Sequence, residues 1–176
     1  MRHIVFKGQK YKQVLMNIHP DAPFNKILKE INSLTLPVDY QNDEHTRYAI
    51  LELINNSIRA QKENRSNEPI KLEIKIENNI LTVTVTDSGG GFEISELPYD
   101  INEPVERIDP NKKSFQDYRE KNQYKRFGLG LLVARKQFPQ FEITFYNNKN
   151  ETVPSGSTEI TGTVIKMSLE LPDGGT

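Results

Sequence analysis

Glu52 and Asn56 stand four residues apart in NDEHTRYAILELINNSIRAQKEN, and Arg59 follows three further on. In a helix that spacing stacks them on one face, about a turn apart. Leu51, Ile54 and Ile58 form an apolar stripe beside them, so the polar stripe borders the buried face instead of lying opposite it. A carboxylate beside an amide oxygen suits a hard cation such as Mg²⁺, which takes oxygen ligands and keeps its waters. The same carboxylate can take the proton of an attacking hydroxyl. Taken alone, an ordinary solvated helix face carries such residues too.

TVTVTDSGGGF sets a second carboxylate, Asp87, at the end of a strand pattern and follows it with Gly89, Gly90 and Gly91. A carboxylate there can accept a hydrogen bond from an exocyclic amine, and the glycines allow positive φ and leave room for a flat ligand. A glycine-rich turn has the same appearance, although three glycines exceed what a turn needs. KRFGLGLLVARK places Gly128 and Gly130, with Leu129 and Leu131, directly at the start of an apolar helical pattern. A helix N-terminus with bare backbone N–H groups attracts phosphate, and Lys125 and Arg126 add positive charge just before it. A plain loop-to-helix junction would read alike. This is no dinucleotide fingerprint, because Val133 occupies the third glycine position, and no G-x-x-x-x-G-K-[ST] occurs. Gly162 and Thr163 open the last strand pattern, where a threonine hydroxyl can donate to phosphate or simply begin a strand.

The elements that must position these residues follow from periodicity. Residues 3–18 carry short apolar stretches, IVF and VLM, sufficient for one or two strands. DAPFNKILKEINSL predicts a helix with Asp21 as N-cap, Pro23 in the first turn, and Phe24, Ile27, Leu28, Ile31 and Leu34 on one face; Pro37 ends it. The longer helix bearing Glu52 is predicted to be capped near Asn42 or Asp43. In IKLEIKIENNILTVTVTD, Leu72, Ile74 and Ile76 alternate with charges, Leu81, Val83 and Val85 alternate with threonines, and Asn78-Asn79 marks a hairpin turn. Roughly 35 residues then follow with few apolar positions and prolines at 98, 104 and 110, which predicts a functional lid or disorder. A third helix and two more strands, FEITFYNN and ITGTVIKMSLEL, complete an α+β two-layer sandwich.

The bulk numbers bound the partners. The chain has 176 residues, 35% hydrophobic and 27% charged, which predicts one domain spanning 1–176. A net charge of −1 provides no basic field toward nucleic acid or an anionic membrane. There is no cysteine, hence no disulfide or thiolate metal site, and no apolar run of membrane-spanning length or signal-peptide core. These features together predict a cytoplasmic protein.

The joint order of the four motifs resembles the GHKL ATPase superfamily, named for gyrase, a heat-shock chaperone, histidine kinases and mismatch-repair MutL. The resemblance covers roughly residues 40–171: the E-x-x-x-N box as Glu52 and Asn56, the D-x-G-x-G box as Asp87, Gly89 and Gly91, the second glycine box as Gly128, Gly130 and Leu131, and the G-T as Gly162 and Thr163. It implies a Bergerat-type fold, a two-layer α/β sandwich with a mixed, mainly antiparallel sheet and a long ATP lid at about 93–127. The implied cofactors are ATP and Mg²⁺. By that resemblance Asp87 binds the adenine amine, Asn56 holds Mg²⁺, the backbone from Gly128 through Leu129 and Gly130 to Leu131 cradles phosphate, and Thr163 supports either end of the nucleotide. Arg59 falls where many relatives carry a basic residue, and Arg126 is placed like a γ-phosphate contact.

Size and the leading glutamate look most like the stand-alone anti-sigma-factor serine kinases. That implies Glu52 as the base for a serine hydroxyl on a regulatory partner, a phospho-acceptor or sigma-factor-like protein, and a homodimer as one arrangement. Ser57 and Ala60 depart from that pattern, which commonly has alanine and then a histidine or aromatic residue, and the first 40 residues match nothing in it. Two alternatives stay open. One is a detached histidine-kinase module acting in trans, since His3, His19 and His45 do not lie in an acceptor helix. The other is a nucleotide-switched binding module with little turnover.

Overall fold

The computed structural model describes residues 2–124, 126 and 128–171. The site-bearing helix, α2, runs Tyr40–Glu63, beginning earlier than its sequence pattern suggests. Asp39, not Asn42 or Asp43, is its N-cap, and its side chain accepts from the Asn42 N–H at 3.0 Å. Asp43 turns inward instead: it is buried, accepts from the Leu36 N–H at 2.9 Å, and pairs with Arg47 at 3.3 Å. Helix α1, Phe24–Asn32, also differs at its start. Pro23 occupies the N-cap position without a side-chain cap bond, and Asp21 lies in the turn before it, where its N–H donates to His19 Nδ1. Ile27 and Ile31 are buried on α1 as its periodicity requires, whereas Phe24 is left 53% exposed.

Three strands, not one or two, precede α1: β1 (Ile4–Phe6), β2 (Gln9–Tyr11) and β3 (Gln13–Ile18). Lys7 and Gly8 both take positive φ, 50° and 79°, the geometry a two-residue hairpin needs. A short β4, Leu34–Thr35, joins β1 and β2 in a small sheet ordered β2-β1-β4. The main sheet contains β5 (Ile70–Glu77), β6 (Ile80–Asp87), β7 (Gln140–Tyr146), β8 (Thr152–Val153) and β9 (Gly162–Glu170). Its order is β3-β5-β6-β9-β7-β8, and every pairing recorded among the described residues is antiparallel. The β5–β6 turn is the predicted Asn78-Asn79, at φ 48° and 66°.

Alternation assigns one face of this sheet to the core. Leu72, Ile74, Leu81, Val83, Val85 and Met167 are each no more than 1% exposed and meet Ile50, Leu53 and Ile54 of α2 and Ala134 of α4, Gly130–Gln137. The architecture is the expected α+β sandwich, and among the described residues no helix is long and apolar enough to cross a membrane. The segment expected to be a lid or disordered carries secondary structure. It holds two single-turn 3₁₀ helices, Ile94–Glu96 and Val105–Arg107, and a nine-residue α3, Lys113–Lys121. Its few apolar residues converge: Ile108 and Phe115 bury with Leu132 of α4, Tyr99 and Val105 pack on them, and Tyr99 stacks on Phe115 at 5.8 Å.

This second cluster predicts separable stabilities. Leu81→Ala, in the main core, should cost about 2–5 kcal/mol of global stability in denaturant melts. Phe115→Ala should lower the global midpoint less, while accelerating limited proteolysis within residues 93–124 several-fold. Equal cleavage of wild type and Phe115→Ala would show that the cluster does not hold the segment.

Candidate functional site

Apart from Gly90, Gly162 and Lys125, the candidate residues line one cleft, of ≈ 220 Å³, between α2, the loop after β6, the 93–126 segment and the start of α4. A single water needs roughly 10–15 Å³ measured this way, so the cleft has room for a sizeable ligand. Lys125, noted for its charge, lies outside the described residues.

Asp87 occupies one end. It closes β6 opposite Thr163 of β9 and is 7% exposed. Its Oδ1 accepts from the Gly89 N–H at 2.9 Å and its Oδ2 from the Ser57 hydroxyl at 2.8 Å; the Thr163 N–H also bonds to it. Burial pushes the carboxyl above its ordinary value, and these three hydrogen bonds pull the other way. The loop beyond is fastened to α2 by residues at helical spacing. Gln61 Oε1 accepts from the Ser88 N–H at 3.0 Å, and Asn64 Nδ2 donates to the Gly89 carbonyl. A Cβ on Gly89 would come within 2.5 Å of the Ala60 Cβ, so both positions must be small for loop and helix to touch. Gly90 and Gly91 adopt φ of 78° and 74°, which glycine takes without strain. On the sheet side the Tyr146 hydroxyl donates to the Asp87 carbonyl, and a side chain on Gly162 would overlap both groups.

Glu52 and Asn56 occupy the other end, against the start of α4. A Cβ on Gly130 would lie 2.8 Å from Asn56 Nδ2 and 3.2 Å from Glu52 Oε2. Helix α4 begins after Leu129 with no side-chain cap, so its first backbone N–H groups face the cleft side without a side-chain acceptor. Arg59 reaches back to Asn56 Oδ1 at 3.5 Å. Tyr48, one turn before Glu52, hydrogen-bonds to it; the neighbouring Glu52 charge, then burial, raises the Tyr48 hydroxyl above its ordinary value. Arg126 is ion-paired with Glu63 at the end of α2, and Lys121 with Glu96 at 2.8 Å.

The arrangement fits a nucleotide with a divalent cation. Asp87 is a buried carboxylate at a cleft wall, and the missing side chain of Gly130 keeps open a space edged by an amide and a carboxylate. Among the described residues no cluster of three or more His, Cys, Asp or Glu could hold a metal by itself. Mg²⁺ uses one or two protein ligands and completes its shell with water and substrate phosphates. Asn56, with Glu52 beside it, is the residue available to hold it.

Ser57, Gln61 and Asn64 were not singled out as site residues by type. Their spacing of four and three on α2 is the signal that carries them, because it repeats the polar stripe one face over. Tyr48 and Glu63 continue the Glu52 stripe in the same way, while nothing in the sequence around Tyr146 marks it.

The family model for the histidine kinase-, DNA gyrase B-, and HSP90-like ATPases matches residues 41–173. Comparison with curated proteins finds no match. The matched span runs from α2 through β9, includes every residue that lines the cleft, and leaves out β1–β4 and α1. The chain belongs to the histidine kinase-, DNA gyrase B- and HSP90-like ATPase family, whose domains bind ATP, generally with Mg²⁺.

Proposed function

We propose that the protein is an ATP-dependent protein kinase of the anti-sigma-factor type, which phosphorylates a serine of a regulatory protein partner. The observation that carries this reading is the position of Glu52, a carboxylate set against Gly130 at the end of the cleft away from Asp87. Asp87 holds the base of the nucleotide, and the backbone from Gly128 to Leu131 receives its phosphates. Asn56 would hold Mg²⁺, which when bound neutralises phosphate charge.

Glu52 then faces the terminal phosphate as a general base. It accepts the proton of the serine hydroxyl while the Oγ–phosphorus bond forms and the bond from phosphorus to the bridging oxygen of ADP breaks. A carboxylate base favours a hydroxyl acceptor over an imidazole. A hydroxyl must shed its proton to become a strong nucleophile, whereas neutral imidazole already offers a lone pair. The partner is a phospho-acceptor or a sigma-factor-like protein.

Two measurements separate binding from chemistry. Mg·ATP should raise the melting temperature of the wild type. Asp87→Asn should weaken ATP by about ten- to hundredfold, the effect of ~1–3 kcal/mol for an unpaired buried polar group, and so remove most of the shift. An undiminished shift in Asp87→Asn would sink the assignment of that end of the cleft.

Glu52→Gln should keep the thermal shift yet slow labelling of a partner serine from [γ-³²P]ATP by about 10²–10⁴-fold. Labelling at the wild-type rate would remove Glu52 from the chemistry. Acid-labile label on the partner would indicate histidine as acceptor, and release of free phosphate with no labelled partner would indicate hydrolysis.

A further inference from the structure

Ser57 is where α2 reaches the Asp87 carboxylate. Its hydroxyl donates to Oδ2 at 2.8 Å, and the two residues are 3% and 7% exposed. On the opposite oxygen, Oδ1, the Gly89 N–H donates at 2.9 Å. The carboxylate is thus gripped at both oxygens by two different elements, and it cannot rotate without stranding a buried donor. A carboxylate offers about four acceptor positions, so with Ser57 and Gly89 bound it keeps capacity for a ligand in the cleft. Alanine at position 57, the residue usual in the family that the motifs resemble, would supply no such hydroxyl.

An ionised carboxylate only accepts hydrogen bonds. The purine atom it can tell apart is the substituent at C6. A 6-amine donates to it, whereas a 6-carbonyl brings oxygen lone pairs against oxygen lone pairs, and the donor that a 6-oxo purine does carry, N1–H, lies one ring position away from the place a carboxylate fixed in its plane addresses. A protonated carboxyl presents an O–H and can satisfy the carbonyl instead. Discrimination therefore requires Asp87 to be both ionised and fixed in its plane. Burial works against the ionised form, and the Ser57 hydroxyl works for it. The other groups facing this position are the Gly89 N–H from the loop, the Thr163 N–H from β9, and, on the Asp87 carbonyl, the Tyr146 hydroxyl from β7, which burial keeps in its neutral form; Ser88 Oγ lies 3.5 Å from that hydroxyl.

We propose that Ser57 is a positioning residue that sets the preference of this site for a 6-amino over a 6-oxo purine, by holding Asp87 as a fixed, acceptor-only carboxylate. The proposal rests on reading the cleft as an ATP site. It differs from assigning Asp87 itself, because the Ser57 hydroxyl, on a residue 3% exposed at the cleft wall, is engaged by Asp87 and should alter selectivity more than overall affinity.

The test is calorimetric titration of the full chain with Mg·ATP and with Mg·inosine triphosphate, which differ at C6 and in the proton that the 6-oxo base carries on N1. It is run on wild type and Ser57→Ala at about pH 8 and at a lower pH on the acid limb of ATP binding, the direction in which a raised carboxyl takes up its proton. Wild type should favour ATP by roughly ten- to hundredfold at the higher pH. Ser57→Ala should narrow that ratio by about two- to tenfold, as expected for loss of one net hydrogen bond. Removing the hydroxyl raises the Asp87 carboxyl further, so the acid limb of ATP binding should move to higher pH and the narrowing should be greater at the lower pH. Equal weakening of both nucleotides at both pH values would assign Ser57 a merely structural role and overturn the proposal, as would an unchanged ratio. Binding of neither nucleotide by the wild type would overturn the ATP reading, and this proposal with it.

Discussion

A carboxylate that must be buried at the end of a strand is the constraint on which the rest of the site depends. Removing Asp87 from water opposes its charge, and the opposition is met only by donors placed around it. Those donors come from three elements of different origin: Ser57 on α2, the Gly89 amide in the loop, and the Thr163 amide on β9. For all three to arrive together, backbone must approach backbone. Gly89 lies on Ala60, and Gly162 lies beneath the Tyr146 hydroxyl and the Asp87 carbonyl. The small residues around the site follow from that carboxylate, and so does the polar stripe of Ser57, Gln61 and Asn64 on a helix face that is otherwise apolar.

Helix α2 also sets the length of the site. One stripe, through Ser57, fastens the Asp87 loop; the other, through Glu52 and Asn56, meets the start of α4. Five residues separate Ser57 from Glu52, or roughly 7.5 Å along a rigid helix. That fixed offset holds the two ends of the cleft apart without relying on a loop. Ile50, Leu53 and Ile54, all 0% exposed, clamp the same helix to the sheet that carries Asp87. Core packing and site geometry are therefore one set of contacts, and a shift of α2 would disturb both ends of the cleft.

Much of this was legible from periodicity. The strict alternation of β5 and β6, the Asn78-Asn79 turn and the four motifs needed only spacing. What escaped had physical reasons. The cap of α2 moved to Asp39 because Asp43, an equally good cap by type, was drawn inward by the Leu36 amide and Arg47. β1, β2 and β4 have only two or three residues each, too few to establish an alternation. The 93–126 segment looked featureless because Tyr99, Val105, Ile108 and Phe115 follow no single period, yet they converge in space on Leu132. Ser57 shows in the sequence as a departure from an expected alanine and in the spacing it shares with Gln61 and Asn64; its partner lies 30 residues away, and no local pattern reports that contact.

The rim of the cleft is held differently from its floor. Arg126 with Glu63 and Lys121 with Glu96 are partly or largely exposed pairs, with the cations 31% and 65% exposed. Pairs in such surroundings are typically worth no more than about 1 kcal/mol and weaken with salt. The floor bonds at Asp87 are buried, so their partners have no water to fall back on. On the function proposed above, a polyphosphate entering the cleft would draw Arg126 from Glu63 at small cost, while the carboxylate proposed to meet the base would stay where α2 holds it. That proposal thus assigns selectivity to the part that is expensive to rearrange, and the charged contacts that would exchange with a ligand to the part that is cheap.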